Sequence, residues 1–214
     1  MQDIIIVCAG SYGREVFWTL DENNRLAAER KQEVPYNILG FLSDVPVDLE
    51  HYGIKLPILG KIQDWQPKGK EKYALGLGKP EDKKKLADLL RPRGMEFISV
   101  ISGWVSLTPD VQLGEGCLIS TGSMVGCEVE FGDFVNVHGS MIYSGAKIGS
   151  FSTTTGFTVV ERATVHEGVY IGSKAVITEG CEVGSWSRIS AGSVVTQNIR
   201  SGVTVFGMPA QEIG

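Results

Sequence analysis

Residues 165–195 read VHEGVYIGSKAVITEGCEVGSWSRISAGSVV, and every sixth position is aliphatic. Val165, Ile171, Ile177, Val183, Ile189 and Val195 recur without a break. An earlier run, Leu113, Ile119, Val125, Phe131 and Val137, keeps the same period, and Ile142 and Ile148 resume it after a one-residue slip. The next residue is usually small, as at Gly114, Ser120, Gly126, Gly132, Gly149, Gly172, Gly184 and Ser190. Six is not a helical period, and the segment's Val, Ile, Thr and Gly content favours short strands joined by tight turns. One strand and one corner use about six residues, so three such units close a triangle of about 18. The aliphatic residue of each unit points inward and stacks on its counterpart about 4.8 Å away in the next coil. The spacing therefore predicts a parallel β-helix of five to six coils over residues 105–206.

Outward from this repeat the chain changes character near Ser102. Residues 1–102 carry 15 Lys/Arg, 15 Asp/Glu and 9 of the 27 glycines. Residues 103–214 carry 5 Lys/Arg, 10 Asp/Glu and the other 18 glycines, which accounts for the net charge of −5. Such a shift at one point predicts a boundary between domains 1–102 and 103–214. In the first domain Ile4–Val7 reads as a buried parallel strand, Cys8–Gly13 as a turn and Arg14–Glu29 as a helix with Val16, Phe17 and Leu20 on one side. Ile38–Leu42 and Tyr73–Leu77 read as further strands. Glu81–Leu90 reads as a helix opened by Pro80, with Leu86, Leu89 and Leu90 on its apolar face. This alternation predicts an α/β, Rossmann-like sheet.

Other classes are disfavoured. No apolar run approaches the roughly 18 residues of a membrane span, and Met1–Gly10 lacks the pattern of a secretory signal. No basic stripe suits a nucleic-acid partner. Cys8, Cys117, Cys127 and Cys181 show no CxxC spacing, which predicts reduced thiols and a cytoplasmic location.

Two further stretches carry a family resemblance. Ala191-Gly192-Ser193-Val194-Val195-Thr196, followed by Val205-Phe206-Gly207-Met208-Pro209-Ala210, resembles the terminal signature of hexapeptide-repeat acyltransferases. Cys8–Val16 and Gly40–Asp44 resemble the nucleotide-sugar-binding domain of the sialic acid O-acetyltransferase and bacillosamine N-acetyltransferase family. The resemblance spans essentially the whole chain. It implies a left-handed coil, where the general crossover rule would give the right hand. It also implies a homotrimer, acetyl-CoA as acyl donor bound between subunits, and N- or O-acylation of a nucleotide-linked sugar for surface glycans. The adenine end of the donor is expected near Gly172, Ser190–Gly192 and Gly207–Pro209, with Ala191 in the middle of that strip.

The candidate residues follow from strand–turn–helix context and this resemblance. Gly10, Ser11, Tyr12 and Gly13 could present backbone N–H groups to a phosphate at a helix start. The first glycine of the usual fingerprint is Cys8 here, and Gly-x-x-Gly also occurs as a bare structural turn. Asp44 could accept hydrogen bonds from a sugar or base, or simply serve the turn. Gly78 and Lys79 could place a cation beside a diphosphate. The family's catalytic histidine corresponds to Ser144, and Gly145 stands where its orienting acid would be. Serine is no base near neutral pH without an activating partner. His138 is the leading substitute base, with His166 second, each competing with a purely structural corner histidine. Three histidines for zinc are not present in the repeat, so no metal is expected. The alternative function is a catalytically silent trimeric sugar-nucleotide-binding or scaffold protein.

Overall fold

The computed structural model describes residues 1–213. The N-terminal part is a four-stranded parallel sheet in the order β3-β2-β1-β4, with β1 Gln2–Val7, β2 Tyr36–Leu42, β3 Ile58–Gly60 and β4 Lys72–Leu75. Helix α1, Ser11–Glu29, follows β1, and α2, Pro80–Leu90, follows β4. β1 is buried on both sides because it is a central parallel strand, which its run of Ile4, Ile5, Ile6 and Val7 suits. Val16, Phe17 and Leu20 of α1 are buried as their spacing predicts.

Short β3 has no alternating pattern that would mark it in the sequence. On α2, Leu90 is buried and Leu86 packs against the core as the spacing predicts, but Leu89 is 40% exposed. The helix buries Pro80, Lys83 and Ala87 with Leu90, so it also turns a lysine toward the interior.

The C-terminal part is a triangular parallel β-helix. Its first face stacks Val100–Ile101, Leu118–Ile119, Asn136–Val137, Thr153–Thr154, Tyr170–Ile171, Arg188–Ile189 and Thr204–Gly207, the last of which pairs antiparallel with Ala210–Ile213. The second face stacks Met124–Val125 through Val194–Val195, and the third Gln112–Leu113 through Glu182–Val183. The inward residues named by the repeat, from Ile119 to Val195, form one continuous core. The pairing of Ile142 with Val125 confirms the slip after Val137. A second slip lies between Val160 and Val165, and Thr154, the inward residue one unit before Val160, is not aliphatic and hides the period. Its hydroxyl is satisfied inside the prism by Ser140 Oγ at 2.9 Å.

One corner column needs positive φ in every coil, at Gly116, Phe134, Phe151, Gly168 and Trp186. A side chain on Gly116 would strike the Phe134 ring at 2.4 Å, so glycine and aromatic residues share the column. Phe134 and Phe151 stack at 5.5 Å and pack with Leu90, Ala87 and Phe97. This cluster, with Leu118 against Ile4, Phe17 and Val100, seats the α/β layer on the first face. Val100–Ile101 already pairs with Leu118–Ile119, so prism hydrogen bonding begins just ahead of residue 103.

The other two faces differ in chemistry. Outward residues of the third face are Gln112, Glu130, Lys147, Thr164 and Glu182, whereas those of the second are Met124, Met141, Val159, Val176 and Val194.

Candidate functional site

Two cavities flank the junction between the layers. The first, about 440 Å³, opens at the C-terminal ends of β1, β2 and β4, where open parallel sheets bind ligands. Cys8–Tyr12, Ser43–Val45 and Gly76–Gly78 line it, with Asp82 and Lys85 from α2. The second, about 630 Å³, runs between α1 and one edge of the prism. Glu15, Trp18, Thr19, Glu22 and Arg25 line one wall, and Ser120–Gly122, His138, Gly139, Gly156 and Phe157 the other.

Tyr12 stands between them. Its ring lines the first cavity and meets the His138 ring edge-on at 4.9 Å. A Cβ on Gly78 would lie 2.2 Å from the Tyr12 ring, so the Tyr12 position requires glycine there.

His138 follows Val137 at the prism edge and is 15% exposed at its side chain. Its Nδ1 is 3.0 Å from Ser120 Oγ and 3.6 Å from Glu15 Oε2. Its Nε2 is buried and has no hydrogen-bond partner. Burial first, and the charge of Lys83 second, push its pKa down to about 4. The ring is therefore neutral at pH 7. With the proton on Nδ1, toward Ser120 and Glu15, the lone pair sits on Nε2 and can accept a proton. Burial also raises the Glu15 carboxyl, opposed by Arg14.

The structure brings Gly10, Ser11, Tyr12, Asp44 and Gly78 together along the first cavity. Asp44 serves the turn as well, since its Oδ1 accepts the Ile62 N–H at 2.8 Å. Gly13 does not line the cavity. A Cβ there would meet Cys8 O at 2.0 Å, and one on Gly76 would meet Gly13 Cα at 2.3 Å, so both glycines permit backbone contact between helix and strand ends. Lys79 is the exposed N-cap of α2 and does not line the cavity, and Lys85 supplies the cation instead.

Ser144 is not brought to His138. It lies on the corner after Met141–Ile142 of the second face, is exposed, and its Oγ accepts the Cys127 N–H at 3.2 Å. His166 follows Val165 on the third face, half-exposed, with Nε2 3.7 Å from Glu182. Gly172, Ser190–Gly192 and Gly207–Pro209 continue the prism edge that carries His138, because Val137, Thr154, Ile171, Ile189 and Val205 are in register. Ala191, Gly192 and Pro209 are exposed along that strip.

Glu15 is the functional neighbour that sequence reading missed. It lies three residues after Tyr12, and i, i+3 places the two on one helix face. Among the described residues no cluster of three His, Cys, Asp or Glu could hold a metal, and no helix is long and apolar enough to cross a membrane.

Comparison with known proteins follows this architecture. The family model "Bacterial transferase hexapeptide (six repeats)" matches residues 162–197. A serine acetyltransferase of Buchnera aphidicola (subsp. Acyrthosiphon pisum, strain APS) is 34% identical over 109 residues, covering 50% of this chain and 37% of that protein. The chain spans about half or less of the length of the serine acetyltransferases it matches. Among solved structures, PerB from Caulobacter crescentus, in complex with CoA and GDP-perosamine, superimposes with a TM-score of 0.86 at 19% identity, covering 100% of this chain and 98% of that one. The acetyltransferase domain of PglB from Neisseria gonorrhoeae FA1090 gives 0.83 at 18% identity, with 100% of each chain covered. The chain thus carries the hexapeptide repeat over residues 162–197 and shares the left-handed β-helix fold of these structures.

Proposed function

We propose that this hexapeptide-repeat protein transfers an acyl group, acetyl in the first instance, from acyl-CoA to the amine or hydroxyl of a nucleotide-linked sugar used in surface glycans. Residues 1–102 would form a Rossmann-like nucleotide-sugar domain and 103–214 the acyltransferase domain. The observation that carries this reading is the buried, unpartnered Nε2 of His138, held from the Nδ1 side by Ser120 and Glu15 and separated from a substrate-sized cavity by one tyrosine ring. The relatives add support: PerB is described in complex with CoA and GDP-perosamine, and the PglB domain in complex with acetyl coenzyme A.

In this mechanism the nucleotide occupies the first cavity, with Gly10–Tyr12 at its phosphates and Asp44, Gly78 and Lys85 around it. The sugar passes Tyr12 toward His138. Nε2 takes the proton from the amine or hydroxyl as it adds to the thioester carbonyl, while the nearby Glu15 carboxylate favours the imidazolium that forms; collapse of the adduct breaks the C–S bond, and the proton passes from Nε2 to the departing CoA sulfur. A backbone N–H of the edge stabilises the oxyanion. Bound acyl-CoA would supply the thioester. Gly172, Ser190, Ala191, Gly192, Gly207 and Pro209 would hold it, along an edge continuous with His138 on which Ala191, Gly192 and Pro209 are exposed. No metal takes part.

The reading includes a homotrimer. The outward row Met124, Met141, Val159, Val176 and Val194 is apolar throughout, as a face that a partner subunit covers would be. Phe157, 72% exposed, stands where that face meets the His138 groove, which would put the active site at a subunit boundary. A cytoplasmic location agrees with four free cysteines.

A second reading is a silent nucleotide-sugar-binding scaffold: the resemblance aligns Ser144 with the family's catalytic histidine, and Ser144 is exposed with its Oγ accepting the Cys127 N–H. Steady-state assays with acetyl-CoA and a panel of UDP-, GDP- and dTDP-linked amino sugars separate the two. Turnover with any of them supports the enzyme. Nucleotide-sugar binding without turnover, and without acetyl-CoA binding by calorimetry, supports the scaffold.

A further inference from the structure

Helix α2 sends a lysine into the interface between the two layers. Lys83 is 1% exposed. Its Nζ lies within hydrogen-bond distance of three acceptors, Phe134 O at 2.7 Å, Ser152 O at 3.0 Å and Thr153 Oγ1 at 2.9 Å. Among the described residues no carboxylate pairs with it. Burial pushes the Lys83 pKa well down, and an apolar side chain of the same volume often fills such a place at no loss of stability. Stability alone therefore does not account for an amine here.

The contacts of its partners do. Thr153 Oγ1 donates onward to Gly78 O at 2.7 Å, and Asn136 Nδ2 donates to Leu77 O at 2.8 Å. Asn136 and Thr153 are register partners on adjacent coils of the first face. Leu77 and Gly78 are walls of the first cavity, Gly78 bears the Tyr12 ring, and His138 lies two residues beyond Asn136. One network thus ties the cavity loop to the rungs that carry the histidine.

We propose that Lys83 is a positioning residue: with Thr153 and Asn136 it clamps the Leu77–Gly78 loop to the prism and sets the register between the bound acceptor and His138. The idea rests on the functional reading above for what is positioned, but the clamp itself is a property of the chain. Misplacing a reacting group by about 1 Å can cost roughly 100-fold in rate.

The test compares Lys83→Met, Thr153→Val and Thr153→Ser with the wild type. Hydrogen exchange read by mass spectrometry follows the Gly76–Lys79 amides, and steady-state kinetics follow the acceptor and acetyl-CoA separately. Lys83→Met and Thr153→Val should speed exchange in 76–79 by about tenfold or more and lower kcat for the acceptor by a similar factor, with the acetyl-CoA KM within about twofold. Thr153→Ser, which keeps the hydroxyl, should stay close to wild type in both. Wild-type exchange and wild-type kcat in folded Lys83→Met or Thr153→Val would overturn the clamp. If Lys83→Met does not fold, the Thr153 pair decides. If the wild type turns over no nucleotide sugar, the functional reading fails while the exchange data still decide the clamp.

Discussion

Acidification should expose the cost of protonating His138. Its pKa falls from 6.5 to about 4 on folding, chiefly through burial. The unfolded chain therefore binds more protons between those values, and stability falls as pH drops through that window. The stabilisation is complete above pH 6.5 and is lost progressively toward pH 4. A shift of this size corresponds to about 3 kcal/mol in all, of which about 2 kcal/mol is lost by pH 5. Carboxylates titrate nearby, and the raised pKa of Glu15 acts in the opposite sense. The difference between wild type and His138→Gln isolates the histidine, because glutamine does not titrate. Urea unfolding at fixed protein concentration, at pH 7 and pH 5, should show the wild type losing about 2 kcal/mol more than the variant. At an m-value near 2 kcal/mol/M that is a midpoint difference of about 1 M. A difference between the two proteins that stays constant from pH 7 to pH 5 would refute the placement of a neutral, buried imidazole.

Other perturbations follow from single contacts. Glu15→Gln removes the carboxylate 3.6 Å from Nδ1 and should lower kcat by about tenfold while leaving the nucleotide-sugar KM nearly unchanged, as steady-state assays would read. Met141→Glu places a charge in the outward apolar row of the second face, so light scattering should find smaller assemblies with an unchanged far-UV spectrum. Gly76→Ala drives a methyl to within 2.3 Å of Gly13 Cα and should cost about 3 kcal/mol, seen as a lowered melting temperature.

The prism was legible because its period is set by stacking geometry: an inward aliphatic residue every sixth position has no counterpart in helices or ordinary sheets. The second slip was not, because Thr154 buries a hydroxyl that finds Ser140 inside the coil. The first cavity was legible in part, since strand–turn–helix connections place Gly10–Tyr12, Asp44 and Gly78 at strand ends. Lys79 does not line that cavity because it caps α2, which begins at Pro80 and turns Lys85 toward the cavity instead. Glu15, Asn136 and Lys83 stayed hidden for another reason. Their roles depend on how the α/β layer docks on the first face, and docking is a long-range outcome that no local pattern encodes. Family correspondence along the chain pointed to Ser144, whereas packing across the layers gathers Tyr12, Glu15 and Ser120 around His138.

Everything proposed about chemistry converges on one nitrogen. Rates of acyl transfer from acetyl-CoA to the best nucleotide-linked sugar, measured for wild type and His138→Ala with acetyl-CoA affinity measured in parallel, test it directly. The account predicts a loss of roughly 10²–10⁴-fold in kcat with unchanged acetyl-CoA binding. A His138→Ala protein that turns over at the wild-type rate would contradict it.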